Sequence, residues 1–366
     1  MDCIKRFITC HVPVFACNFR CGYCYVGQFP NAYQRGVKPF YDTVENIGKA
    51  FSVDRLGGYC YFNLCGAGET LLHTDIVPLV STLTSQGHYV DVITNGVLEK
   101  KIDEIISSLN KDQKKHFFVK FSFHWLELKK LNLMDSFVAN VHKIRDAGIS
   151  YSIEVTPHDE LVDYINEIKQ FSLEKFGALP HITVARNEAT EDMQLLSKYN
   201  REEYKKIWSV FNSPLFDFKL SIFNQKRCEF CYAGVYSLEV NLENGDYMQC
   251  YRGDRLGNLK KIKKEFNFRP IGKCRLPHCF NGHSFLAFGN IPYFENVTYA
   301  QERDRVCLDG THWLQPECAN FFSTKLYNSN FQYSEMEIKK ILKKETNQFV
   351  KLKKIKKKIF NVLRKF

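Results

Sequence analysis

Between about residues 4 and 212, short β-rich runs alternate with longer amphipathic segments, and this alternation restricts the fold more than any other feature of the chain. Strands are predicted at 4–12, 59–65, 89–94, 117–123, 151–156 and 181–185. Helices are predicted near 43–53, 75–86, 98–109, 126–147, 159–174 and 201–211, with Gly87, Gly148 and Gly177 where helix C-terminal caps fall. Strands and helices in this order build right-handed βαβ units on a parallel sheet, either a partial barrel or an open sheet. Chemistry in such a sheet belongs at the carboxyl ends of the strands.

Beyond residue 212 the texture changes. Residues 213–290 are rich in Cys, Gly and aromatic residues with short strands such as 236–242, and 291–334 are irregular and aromatic, with Cys307, Asp309, His312, Trp313 and Cys318. Residues 335–366 hold twelve Lys or Arg and three Glu, a net of +9 out of the chain's +11, so only +2 remains for everything before them. A nearly neutral body does not imply a groove for nucleic acid. In the tail Ile338, Leu342, Phe349, Leu352, Ile359, Leu363 and Phe366 recur at helical spacing among lysines, the pattern of a basic amphipathic helix suited to an anionic membrane surface or a partner. No apolar run approaches the ~20 residues that span a bilayer, and the opening segment is broken by Lys5, Arg6, His11 and Pro13, unlike a signal peptide. The expectation is a cytoplasmic protein, peripheral to the membrane at most.

In that reducing compartment, 14 cysteines read as metal or redox ligands rather than as disulfides. They cluster. Cys17, Cys21 and Cys24 form a Cys-x3-Cys-x2-Cys trio in CNFRCGYC after the first strand, none lies between Cys65 and Cys228, and five follow between Cys228 and Cys279. Three thiolates from one loop can occupy three irons of a cubane and leave the fourth iron without a protein ligand. A zinc knuckle is the alternative, with His11 as the fourth ligand.

The trio, with the aromatic Tyr23 before its last cysteine, resembles the signature of the radical S-adenosylmethionine (SAM) superfamily. The resemblance implies a [4Fe–4S] cluster on Cys17, Cys21 and Cys24 whose open iron is chelated by the methionine part of SAM. It extends to NLCGAGETLL at 63–72, where Gly66, Gly68 and Glu69 stand like the family's Gly-Gly-Glu motif with Ala67 in place of its first glycine, and to the Thr-Asn-Gly ending at 94–96. By the same likeness Ser122 or His124 is placed like the residue that bonds the SAM ribose, Glu154 lies in the fifth strand, and Arg186 is similar to an arginine that pairs with the SAM carboxylate. Taken singly, the glycine motif reads rather as an ordinary βα turn and Arg186 rather as a surface ion pair, while Ser122 reads also as a core hydroxyl.

The later cysteines follow a second likeness. From Cys231 the pattern Cys-x13-Gly-x4-Cys, through Gly245 to Cys250, looks like the opening of the SPASM and twitch modules, which carry auxiliary iron–sulfur clusters. The full SPASM array is missing, and Cys231, Cys250, Cys274 and Cys279 make a set of four for one [4Fe–4S] cluster, with Cys228 as the spare. A zinc ribbon is the rival, kept open by Cys228/Cys231, His278 and His283.

The expected architecture is therefore α/β: a partial (β/α)6 TIM-like barrel over 1–212, a small Cys-rich α+β cluster-binding domain over 213–290, an irregular extension over 291–334 and a basic C-terminal helix over 335–366. The resemblance implies an enzyme that cleaves SAM reductively, with an external electron donor such as flavodoxin or ferredoxin. The resulting 5′-deoxyadenosyl radical would oxidise or otherwise modify a sugar-like small molecule. A peptide-modifying maturase and a non-catalytic zinc-binding adaptor are the alternatives. Cys307, His312 and Cys318 are the candidate catalytic groups, the imidazole as a base and the thiols as hydrogen donors.

Overall fold

The protein is described by a computed structural model that covers residues 3–189, 193–261, 265–280, 282–294 and 297–344. The predicted alternation is present: β1 (Arg6–Val12), β2 (Cys60–Gly66), β3 (Tyr89–Thr94), β4 (Phe117–Ser122), β5 (Ser150–Val155) and β6 (His181–Ile182). They are separated by α1 (Val44–Ala50), α2 (Ile76–Ser85), α3 (Glu99–Ser108), α4 (Met134–Asp146) and α5 (Ile165–Phe176). Gly87, Gly148 and Gly177 adopt φ of +84°, +71° and +73° and end the helices before them. The helix predicted over 126–147 is broken, because Asn132 takes φ 55° and separates Trp125–Lys130 from α4.

Six strands do not complete the sheet. After α6 (Arg201–Trp208) and α7 (Pro214–Ile222), the chain adds β7 (Ser237–Asn241), β8 (Asp246–Met248) and β9 (Arg255–Asn258). The sheet order is β9-β8-β7-β1-β2-β3-β4-β5-β6, with β1 to β7 parallel and β8 and β9 antiparallel. β7 lies beyond residue 212 yet pairs with β1, Phe7 opposite Ser237 and His11 opposite Asn241. The core and the Cys-rich segment thus share one sheet.

Strand periodicity sorts the side chains. Ile8, Cys10, Phe62, Leu64, Val90, Val92, Val119 and Phe121 belong to the large apolar core formed with the crossover helices. On the other face, Phe7, Tyr61, Tyr89 and Phe118 form a second core with α8 (Gly282–Ala287), α9 (Tyr299–Arg303) and α10 (Pro316–Phe322) through Phe285, Phe288, Tyr299, Phe321 and Phe322. The stretch that reads as an irregular extension therefore plugs the bottom of the barrel. Above that aromatic floor the inward residues turn polar, Thr9, Asn63, Asp91, Lys120 and Ser152, all buried. Each strand then ends on a half-buried inward residue: His11, Cys65, Ile93, Ser122 and Glu154.

Among the described residues no helix is long and apolar enough to cross a membrane. Residues 335–344 are helical; the rest of the predicted basic helix, from 345 onward, lies outside the described residues.

Candidate active site

The cysteine trio sits in a loop that leaves β1 and is closed at its neck by antiparallel pairing of Val14–Phe15 with Gly36–Val37. Successive turns, Cys24 N to Cys21 O at 3.1 Å and Gly27 N to Cys24 O at 3.0 Å, curl it around the thiols. None of the 14 cysteines, all among the described residues, is in a disulfide. Burial, with the neighbouring cysteines, pushes the Cys17 thiol up and that of Cys21 up to about 12. The Tyr33 hydroxyl donates to Cys24 Sγ at 3.1 Å.

The strand ends hold this loop in place. Glu69 N donates to the Ala16 carbonyl at 2.9 Å, and a Cβ on Gly68 would lie 2.0 Å from that oxygen. The glycine at 68 thus serves close approach of the trio loop to β2. The buried Glu69 carboxylate accepts from Leu71 N at 3.0 Å, Thr94 Oγ1 at 2.7 Å and Asn95 N at 2.7 Å. Burial raises its pKa, against those three bonds. Asn95 Nδ2 continues the chain of contacts to Asn18 Oδ1 at 2.6 Å. The Gly68–Glu69 and Thr94–Asn95 motifs are therefore one bracket around the trio loop. Gly66 N is bonded to Thr70 Oγ1 at 3.1 Å in the same turn.

Tyr23 reaches His124 Nδ1 with its hydroxyl at 2.6 Å and stacks on His158 with centroids 4.0 Å apart. Burial lowers both imidazoles to about 4, so they are neutral. Ser122 ends β4 opposite Glu154. Glu154 is already engaged by the buried Arg303 and by Ser152 Oγ at 3.3 Å.

At the carboxyl ends of the strands lies a cavity of about 380 Å³. Tyr25, Val26, Gly66 and Ala67 form its wall on the trio side, His11, Asn63, Cys65 and Glu239 line the sheet side, and Cys279, Phe280 and His283 lie opposite. Arg186 also lines it, ion-paired to Glu188 at 2.6 Å and stacked 4.2 Å over the Tyr25 ring. His11 pairs with Glu239 at 2.6 Å, which holds the imidazolium well above its usual pKa and commits it away from the trio. Beneath the cavity, Asp91 binds Lys120 Nζ at 2.5 Å and Asn63 Nδ2 at 2.9 Å.

Cys231, Cys250, Cys274 and Cys279 come together, each of the other three raising the pKa of the Cys231 thiol on top of its burial. Pairing of Phe230–Cys231 with Gly272–Lys273 brings the first and third of them close. Cys228 is exposed. His283 Nε2 is bonded to Arg303 Nη2 at 2.9 Å. Among the described residues no three His, Cys, Asp or Glu side chains are drawn in around a single metal ion. Thiolates that each bind their own iron of a cluster stand farther apart than ligands of one ion. Both thiol sets, half-buried except for the buried Cys250, fit a group that favours the thiolate.

Cys307, His312 and Cys318 do not face this cavity. Cys307 packs on Gly177 with Sγ 3.4 Å from Phe176 O, and Cys318 is fully buried with Sγ 3.3 Å from Lys115 O. His312 is bonded to Asp304 at 2.6 Å on the surface. All three lie at the amino-terminal end of the strands, because the extension that carries them folds under the barrel floor. Sequence reading missed Cys65, Lys219, Glu239 and Arg303, and took His11 only as a zinc ligand. The signal for the inward face was a single charge at an alternating position in otherwise apolar strands, Asp91 in YVDVIT and Lys120 in FFVKFS.

A family model described as the Radical SAM superfamily matches residues 12–113. The fold is similar to that of SuiB from Streptococcus suis, with TM-score 0.50 and 17% sequence identity over 71% of this chain and 64% of that chain. SuiB bound to precursor peptide SuiA gives TM-score 0.50 and 16% identity over 71% of this chain and 63% of that chain. For anSMEcpe with bound AdoMet the TM-score is 0.48 at 18% identity, covering 70% of this chain and 78% of that chain. This chain thus matches less than two thirds of the length of SuiB. No curated protein matches the chain.

Proposed function

We propose, from the premise that residues 12–113 are a radical SAM domain, that the chain is an enzyme that cleaves SAM reductively and modifies a substrate held in the cavity at the strand ends. The observation that carries this reading is the cavity's position, with the trio loop on one side and Cys279 on the other. A [4Fe–4S] cluster on Cys17, Cys21 and Cys24, with SAM, supplies one-electron cleavage of a sulfur–carbon bond and abstraction of a hydrogen atom.

In this reading the chain's residues position and screen. Gly68, Glu69, Thr94 and Asn95 fix the trio loop, and Tyr23 is held by His124 and His158 beneath it. Arg186 offers its guanidinium to the SAM carboxylate, while Ser122 remains the candidate for the ribose. Glu154, engaged by Arg303, orients that arginine rather than binding SAM. Cys231, Cys250, Cys274 and Cys279 would hold an auxiliary cluster that accepts an electron from the substrate. Glu239, in the cavity wall and electrostatically coupled to Cys250, is placed to take a proton.

A cavity of about 380 Å³ with mixed polar walls suits a small metabolite. A peptide side chain entering the same cavity is the second reading, favoured by the likeness to the SuiB fold in its peptide-bound form. The basic segment 335–366 is assigned to an anionic surface, which salt-sensitive vesicle binding lost on truncation before Glu335 would support.

The test is anaerobic reconstitution with iron and sulfide. With dithionite, or with flavodoxin or ferredoxin as donor, the protein should release 5′-deoxyadenosine and Cys21→Ala should not. Deuterium transfer from labelled sugar and peptide pools then separates the two substrate classes. A colourless, zinc-loaded protein that releases none would overturn the reading in favour of an adaptor.

A further inference from the structure

Among the described residues, most of the charges around the cavity are matched in pairs. Arg186 pairs with Glu188 at 2.6 Å, Lys120 with Asp91 at 2.5 Å, His11 with Glu239 at 2.6 Å, and Arg303 with Glu154. Lys219 lines the same cavity from α7, a helix anchored by Leu215, Phe216, Leu220 and Ile222. Among the described residues nothing makes a hydrogen bond or ion pair with its ammonium. Native proteins rarely hold a charge away from bulk water without a partner, because desolvation is not repaid.

We propose that Lys219 forms an anion subsite of the cavity, which takes a carboxylate or phosphate group of the substrate. This deepens the reading of the site given above and rests on it only for where SAM lies.

The surroundings of Lys219 favour an incoming negative charge. Burial, then Arg186 and Arg303, bring its pKa down to about 7, against the pull of Glu154 and Glu302. Glu302 on α9 is no substitute counter-ion: both its oxygens are buried without a hydrogen-bond partner, and burial pushes its carboxyl up to about 8. His283 of α8 also faces the ammonium and is neutral, its pKa lowered well below the usual value by burial. An anion at this point supplies the missing counter-charge and restores the proton on Lys219.

The subsite is distinct from the place assigned to the SAM carboxylate. Arg186 lies over Tyr25, the residue next to Cys24, and its carbonyl is bonded to Gln28 of the trio loop at 3.1 Å. Besides Arg186, the charges that act most on Lys219 are Glu154 on β5 and Arg303 and Glu302 on α9.

The test is competitive labelling of the reconstituted full chain with trace acetic anhydride near neutral pH, read residue by residue by peptide mass spectrometry. Lys219 should label faster than exposed lysines such as Lys226. Acetate or inorganic phosphate, about ten times above its Kd, should slow labelling at Lys219 about tenfold and leave Lys226 unchanged. Sodium chloride at matched ionic strength and S-adenosylhomocysteine alone should not. Lys219→Met should bind S-adenosylhomocysteine as tightly as the native chain. Labelling insensitive to both anions would overturn the proposal, and so would protection by S-adenosylhomocysteine alone, which would give the site to the cofactor. The labelling uses the native chain, so it does not depend on the folding of a variant. Release of 5′-deoxyadenosine by the same preparation reports separately on the activity.

Discussion

Replacing Gly68 by alanine tests the joint between β2 and the trio loop. The new Cβ would lie 2.0 Å from the Ala16 carbonyl oxygen and 2.7 Å from its carbon, backbone atoms that cannot swing aside. Ordinary contact begins at 3.4 Å, so the two segments must part by about 1.4 Å. β2 is held by ladders on both edges, to β1 and to β3, whereas the loop neck rests on a pairing two residues long. The loop therefore gives way, and the 2.9 Å bond from Glu69 N to Ala16 O goes with it. One such bond is worth about 1 kcal/mol, which for a chain of this size lowers Tm by about 4 °C at most. A misplacement of ~1 Å at a reacting centre costs about 10²-fold in rate. Gly68→Ala is thus expected to release 5′-deoxyadenosine about a hundredfold more slowly while melting within about 4 °C of the native chain. Product chromatography and circular dichroism on one preparation check both. A native rate would show that this joint does not set the loop, and a rate loss with collapse of the melting transition would show that the strain enters the sheet.

The chain lacking Cys17, Cys21 and Cys24 should still bind about four irons, as measured by iron and sulfide content; Cys231→Ala added to it should lose them, whereas Cys228→Ala should not. Cys307→Ala and His312→Gln should leave turnover unchanged in a steady-state assay, since neither side chain faces the cavity, and Cys318→Ala should act on Tm alone. Glu302→Gln should stabilise the protein by an amount that grows with pH. The folded carboxyl titrates at about 8, above the ordinary 4.5, so its stability is full below pH 4.5 and is lost as pH rises through about 8. Thermal melts from pH 5 to 9 check this, and a difference between variant and native chain that shrinks with rising pH would contradict it.

The barrel was legible because its strands and crossover helices are local patterns. Period-2 apolar runs gave β1 to β5 to within two residues, and the helix caps fell at three glycines with positive φ. The end of β6 was not legible, since only His181–Ile182 find partners on β5. The trio loop was read from spacing, and its bracket from the motif order. What spacing could not show was pairing across long sequence separations: Arg303 with Glu154, Glu239 with His11, and the docking of α8 to α10 onto Phe7, Tyr61, Tyr89 and Phe118. Without that docking, Cys307, His312 and Cys318 looked like a functional cluster, when their closeness in sequence reflects a turn under the barrel floor.

β1 has its two neighbours at very different distances along the chain: Phe7 pairs with Tyr61 on one side and with Ser237 on the other. At ribosomal rates of ~5–20 residues per second, the second partner emerges about 10–50 s after the first strand. Throughout that interval β1 presents an unpaired row of amide and carbonyl groups, beside an aromatic floor whose cover is synthesised later still. An open edge of this kind is a template for pairing with other chains. Chaperone supply and translation speed, which shield β1 during synthesis, are therefore expected to change the yield of folded protein even where the stability of the finished sheet is unchanged.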